Sequence, residues 1–171
     1  MKELRGESYW HVTDRGGILL HNVRIGKGWC ASISYFAKGE LADAFTPYSQ
    51  LAGGSDKERV WESVRATHFP DLPSRQKALF VFPSKENAER AIQEWYTGQD
   101  KVIVEVRLSM DVKLHIADAR HLDHLPSLWP DATMRYWQGA ITDNPRPEAL
   151  VEGVVYFPGW EHEPFELMLS R

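Results

Sequence analysis

The order of apolar and polar positions along the chain predicts strands with a few interspersed helices. In "SYWHVTDRGG" (8–17), Tyr9, His11 and Thr13 fall on one face and Trp10 and Val12 on the other. That is a short strand closed by a turn. "ILLHNVRIG" (18–26) is short and mostly apolar, and "WCASISYF" (29–36) alternates. Both are compatible with strand, the second also with the start of a helix. Periodicity is weak over 37–54, which reads as a mobile connection. The "AGGS" near its end is too little on its own for a phosphate-cradling loop.

Stronger signals follow. Ser55 with Glu58 three residues on is a capping-box pattern, and Val60, Trp61 and Val64 make an apolar stripe, so a helix is expected over about 56–68, ended by Pro70 and Pro73. "KALFVFPS" (77–84) is a continuous apolar strand of the kind covered on both faces. Ser84 caps a second helix over about 85–97, with Ala88, Ala91, Ile92 and Trp95 at helical spacing and Gly98 at its end. Strands are expected at 101–109 and about 112–117, the latter followed by a turn or short helix. "PDATMRYWQGA" (130–140) reads as a short helix opened by Asp131. Two prolines stiffen "DNPRPE" (143–148), "EALVEGVVYF" (148–157) is a strand or a strand pair bent at Gly153, and "PFELMLSR" (164–171) is a final strand. Without strict βαβ alternation, the order predicts an α+β fold with a mixed or antiparallel sheet and flanking helices, not a doubly wound sheet.

The length of 171 residues favours one domain spanning 1–171. Apolar (43%) and charged (26%) fractions are those of a soluble globular protein, and a net charge of −4 gives no global field toward nucleic acid. A lone cysteine, Cys30, excludes a disulfide framework and a multi-cysteine zinc site; in its apolar run it reads as a small buried residue. "MKELRGES" has no apolar core for a secretory signal, and no run is long enough to span a bilayer. The expectation is a cytoplasmic protein without membrane association. Seven tryptophans suggest ring-filled cores first, and an aromatic-lined cleft for a planar ligand second.

Candidate chemistry is sparse. "HLDH" (121–124) has histidines at i and i+3 but no further ligand pattern, so it reads as a solvated polar helix, and no metal site is expected. "EHE" (161–163) reads as a loop. A nucleophile elbow, a Walker loop and a dinucleotide fingerprint are all absent. What remains is His11 on the first strand, the strand leading to the Ser84-capped helix, and Glu148 at a strand start behind a stiff loop. Taken alone Glu148 reads as a solvated loop-end charge, but a carboxylate so held also suits stabilisation of a cationic transition state.

"YWHVT" followed by a turn resembles the first motif of ADP-ribosyltransferase-like domains, and "PEALVEGVV" resembles their last, in which the catalytic Glu begins a strand. "KALFVFPSKENAERAIQEW" and "KVIVEVRLSMDVKLHIADARHL" lie between them in the matching layout of strand, Ala-rich helix, strand and Asp-bearing turn. "YWQGA" is similar to a segment found before the Glu in bacterial and phage members. The resemblance implies a split sheet and NAD as substrate. His11 would bond a ribose hydroxyl, the Val12 backbone would hold the nicotinamide carboxamide, and Thr13 would support the turn. Glu148 would stabilise the oxocarbenium ion as neutral nicotinamide leaves. Arg75 would reach the pyrophosphate, with Arg15 and Arg24 as alternatives. Phe80 and Tyr136 are candidates for stacking on nicotinamide, beside Phe82 and Tyr35. Two departures stand out: Val12 replaces the usual Gly, and Arg146 stands two residues before the Glu, where arginine-modifying members carry Gln or Glu. The implied activity is ADP-ribosyl transfer to an acceptor that is a protein, a nucleic acid or a small molecule. Alternatives are an NAD-degrading toxin or an RNA 2′-phosphotransferase on the same scaffold, and a non-catalytic nucleotide- or protein-binding module.

Overall fold

The computed structural model describes residues 2–37 and 55–161. Of the connection expected at 37–54, residues 38–54 lie outside the described residues, as does the final strand expected at 164–171. The elements run β1 (Leu4–Asp14), α1 (Ile18–Ile25), β2 (Trp29–Ala31), α2 (Ile33–Phe36), α3 (Asp56–His68) and β3 (Leu79–Val81). They continue α4 (Lys85–Trp95), β4 (Lys101–Ser109), β5 (Lys113–Asp118), α5 (Trp129–Trp137), β6 (Pro147–Glu152) and β7 (Val154–Tyr156), with short 3₁₀ turns between β5 and α5. The fold is α+β. The chain divides into two compact units: of the described residues, the first holds 2–31, 81–112 and 153–161, and the second holds 32–37, 55–80 and 113–152.

The first unit carries a four-stranded sheet in the order β1-β4-β7-β2, with antiparallel pairing throughout. The alternation read in "SYWHVT" holds: Trp10 and Val12 pack with Ile103 against Phe82, Ala88 and Ala91, so α4 covers that face. Ser84 caps α4 by accepting the Asn87 N–H at 3.1 Å. On β1, His11 stands opposite Val104, and its ring meets the Phe157 ring edge-on at 6.4 Å.

The segment 18–26 is a helix where a strand was the simpler expectation. Its two buried residues, Leu20 and Val23, are three apart, which is helical spacing, and Ile18 and Ile25 are left exposed. An eight-residue apolar run cannot separate the two periods by composition alone. Next to it, "WCASISYF" divides into β2 and the short α2.

The second unit carries the sheet β3-β6-β5, in which β5 and β6 pair antiparallel from Lys113↔Glu152 to Asp118↔Pro147. Its core is Trp61, Ala78, Ala117, Ala132, Tyr136, Trp137 and Leu150. Helices α3 and α5 are tied there by the Trp137 indole N–H, which donates to the Trp61 carbonyl at 2.9 Å. Helix α5 begins at Trp129, two residues before the expected Asp131, with Pro130 at its first turn.

"EALVEGVVYF" breaks where expected. Gly153 has φ 146° and separates β6 from β7, strands of different sheets. A Cβ there would lie 2.7 Å from the Val112 side chain. Gly98, just after α4, also has positive φ (78°) but open space around it. Gly98→Ala should therefore cost only the backbone preference, about 1 kcal/mol, and Gly153→Ala that amount plus the clash, about 2–4 kcal/mol in all. Urea denaturation of the two variants checks the order; equal losses would remove the steric role of Gly153.

Candidate functional site

A charged cluster lies inside the second unit. Arg75, Glu58, Glu148 and Tyr136 are each less than 5% exposed. Arg75 stands in a turn organised by Ser74, whose carbonyl accepts the Lys77 and Ala78 N–H groups and whose hydroxyl donates to Glu62 at 2.9 Å. The Arg75 guanidinium then divides its donors. Nε reaches Glu58 Oε2 at 3.2 Å, and Nη2 reaches Glu58 Oε1 at 3.4 Å. Nη1 donates to Glu148 Oε1 and, at 2.5 Å, to the Tyr136 hydroxyl. That hydroxyl donates in turn to Glu148 Oε1 at 2.6 Å. The Phe80 and Tyr136 rings flank the guanidinium carbon, each 5.2 Å away, a favourable place for a cation.

Each partner arrives from a different element. Ser55 accepts the Glu58 N–H at 3.2 Å, as the capping pattern predicts, while the Glu58 carboxylate serves Arg75. Tyr136 comes from α5. Glu148 is the second residue of β6, opposite Ala117. Burial pushes the Tyr136 phenol well above its ordinary value; Arg75 opposes that and Glu148 adds to it. The phenol therefore remains a donor to Glu148. Both hydrogen bonds to Glu148 fall on Oε1, and Oε2 accepts none from the described residues. Glu58 and Glu148 thus share the Arg75 guanidinium.

The loop before Glu148 is held by more than its prolines. Asp118, fully buried at the end of β5, accepts N–H groups of Arg120, Thr142 and Arg146, each at 2.9 Å, and the Thr142 hydroxyl at 2.6 Å. Burial pushes the Asp118 carboxyl up, but these hydrogen bonds outweigh it and hold it below the usual carboxylate range. The Arg146 guanidinium pairs with Asp123.

His115, on β5, is buried with Nε2 3.2 Å from the Tyr136 carbonyl and its ring stacked on Trp137. A carbonyl only accepts, so Nε2 carries the proton. Burial holds this imidazole below its ordinary value; the Tyr136 carbonyl and Glu148 oppose that, and Arg75 adds to it.

Of the residues expected from sequence, Glu148, Arg75, Phe80 and Tyr136 come together in the second unit, while His11, Val12 and Thr13 lie on β1 in the first. Glu148 is not a solvated loop-end charge, because Arg75 and Tyr136 draw it inside. "HLDH" is not a solvated helix either: His121 is 3% exposed with Nε2 2.8 Å from the Ala140 carbonyl. Cys30 is half-buried, its thiol pushed up by burial. No group able to hold a metal ion occurs among the described residues. Glu58, Asp118 and His115 did not stand out in the sequence. Glu58 carried only its capping signal, and Asp118 only its place in the turn after β5.

The cluster's charge balance makes its members unequal. Arg75→Met removes the cation that two buried carboxylates share and should cost about 3–5 kcal/mol of stability. Glu148→Gln leaves Arg75 balanced by Glu58 and should cost much less. Chemical denaturation of both variants and the double variant measures this; additive losses would show that the pair is not coupled. His115 gives a pH signature. The unfolded chain takes up a proton at this residue near pH 6.5 (about the free value), whereas the folded chain resists it to lower pH. Its contribution is thus fully present above about pH 6.5 and is lost as pH falls from there through the lower folded value. Denaturation curves across that window should show stability rising with pH in the native protein and a flatter profile in His115→Gln.

No curated protein matches the chain. A family described as "Protein of unknown function (DUF2441)" matches residues 35–158, a span that includes Glu58, Arg75, Tyr136 and Glu148 and begins after His11. With most of its length matched, the chain belongs to the DUF2441 family.

Proposed function

We propose that this protein is an NAD-dependent mono-ADP-ribosyltransferase whose acceptor is a protein, a nucleic acid or a small molecule. The observation that carries this reading is the Glu148 carboxylate. Tyr136 and Arg75 fix it through Oε1, while Oε2 accepts no hydrogen bond among the described residues. Loss of nicotinamide leaves positive charge on the ribose C1′. A carboxylate already oriented stabilises that charge without reorganising. In this reading Oε2 also accepts a ribose hydroxyl.

Within the first unit, β1 carries groups of the kind that this reading calls for. The Trp10 N–H and carbonyl bond Phe82 at 3.0 and 2.7 Å, on the side of β1 away from β4. Along an antiparallel strand, residues two apart direct their backbone groups to the same edge. Val12 therefore presents an N–H and a carbonyl on that edge, the complement of a carboxamide. Its side chain packs toward Ala88 and Ala91, perpendicular to the edge, so Val in place of Gly leaves the backbone groups approachable. His11 would bond a ribose hydroxyl and Thr13 would support the turn.

The small exposure of Glu148, 4%, favours a second reading, a binding module without chemistry. Nicotinamide release separates the two. Glu148→Gln, at equal folded concentration, should keep NAD affinity and lose turnover by about a hundredfold or more. Glu152→Gln, on the same strand face but paired with Lys113 at 3.8 Å, should cost little. His11→Ala should weaken NAD binding more than folding. NAD binding with no nicotinamide release by the native chain would establish the binding module, and full activity in Glu148→Gln would move the chemistry to another residue. Adenylate-labelled NAD then distinguishes the acceptors: label on protein, label on nucleic acid, or free ADP-ribose.

A further inference from the structure

The second unit contains an open cavity of about 560 Å³, within the size range of small-molecule sites. Its walls are the end of α3 with the turn after it, the end of α5, and His115 on β5. We infer that this cavity binds a small organic cation, an ammonium or amidinium carried on an aromatic or aliphatic body. The inference is independent of the proposed NAD chemistry.

Three observations set that ligand class. Helices α3 and α5 both end at the cavity, and a helix C-terminus carries partial negative charge. Asp71 is exposed on the wall and, among the described residues and histidines apart, is its ionisable side chain. Arg65 reaches this wall, donating to the Pro70 and Leu72 carbonyls at 3.2 and 3.0 Å, but its charge is matched by Glu62 at 2.8 Å, as that of Arg135 is by Asp131 at 2.8 Å, so Asp71 stays in excess among the described residues.

The hydrogen-bonding groups agree. His115 spends its Nε2–H on the Tyr136 carbonyl, so Nδ1 of the neutral ring is an acceptor, bonded to nothing among the described residues. An acceptor and a carboxylate on the walls of one cavity match a donor-only head group. Phe69 and Leu72 supply the apolar surface for the body, and the Phe69 ring adds a face for a cation.

The test uses one ring system with three charges. Tryptamine, indole and indole-3-propionate are titrated into the full chain at low ionic strength, with affinity from calorimetry and the site from NMR of the His115 ring. Tryptamine should bind tightest and shift the His115 resonances, with indole weaker by about fivefold and indole-3-propionate weaker still. Asp71→Asn, a surface change that leaves folding intact, should reduce tryptamine to the level of indole. Tryptamine binding no tighter than either analogue, no His115 response to it, or unchanged preference in Asp71→Asn would overturn the assignment. Because no NAD is present, these outcomes are separate from the fate of Glu148.

Discussion

The second unit is organised around a guanidinium that water does not reach. Moving an arginine charge into a protein interior costs several kcal/mol unless it is paired and hydrogen-bonded. Arg75 meets that condition with a carboxylate from the first turn of α3, another from the start of β6, and a phenol from α5. A shift of any one element would strand a buried charge. The apolar core of Trp61, Trp137 and Leu150 is tolerant of small changes in packing. The ion cluster is not, because its bonds have fixed directions. Hydrophobic burial drives these elements together, and Arg75 decides in which arrangement they stop.

The same constraint gives the site its chemical character. A carboxylate held by a phenol that stays protonated and by a cation that cannot lose its proton has little freedom to rotate. Asp118 extends that order backward into the loop before β6, pinning three backbone N–H groups with one side chain. Rigidity in "DNPRPE" thus comes from both proline rings and a buried acceptor.

Much of this architecture was legible where short-range rules apply. Ser55 and Ser84 announce α3 and α4 because a cap is a bond across three residues. The alternation in β1 and β4 exposes their faces, and Gly153 marks the break between β6 and β7. Legibility failed where the deciding contact is distant. Arg75 and Glu148 are 73 positions apart, and Arg75 and Tyr136 are 61 apart. Nothing local to Glu148 tells a solvated carboxylate from a buried one. Resemblance named Arg75, Phe80, Tyr136 and Glu148 for separate tasks, and the fold gathers them into one cluster. Glu58 belongs to the capping pattern, since Ser55 accepts its N–H, but its burial depends on a turn seventeen residues on. Segment 18–26 failed for a different reason: two buried positions are too few to define a period.

The interleaved order of the chain also has a consequence for synthesis. The last described residue of the second unit is 152, whereas the first unit still awaits β7, which joins β2 to β4. A chain emerging from the ribosome therefore holds every described strand of the second unit's sheet before β7, the described partner of β2, is made. β1 precedes β4 by almost ninety residues and lacks its sheet partner until β4 appears. Through that interval it is an unpaired strand carrying Tyr9 and Trp10, the kind of edge that recruits other chains.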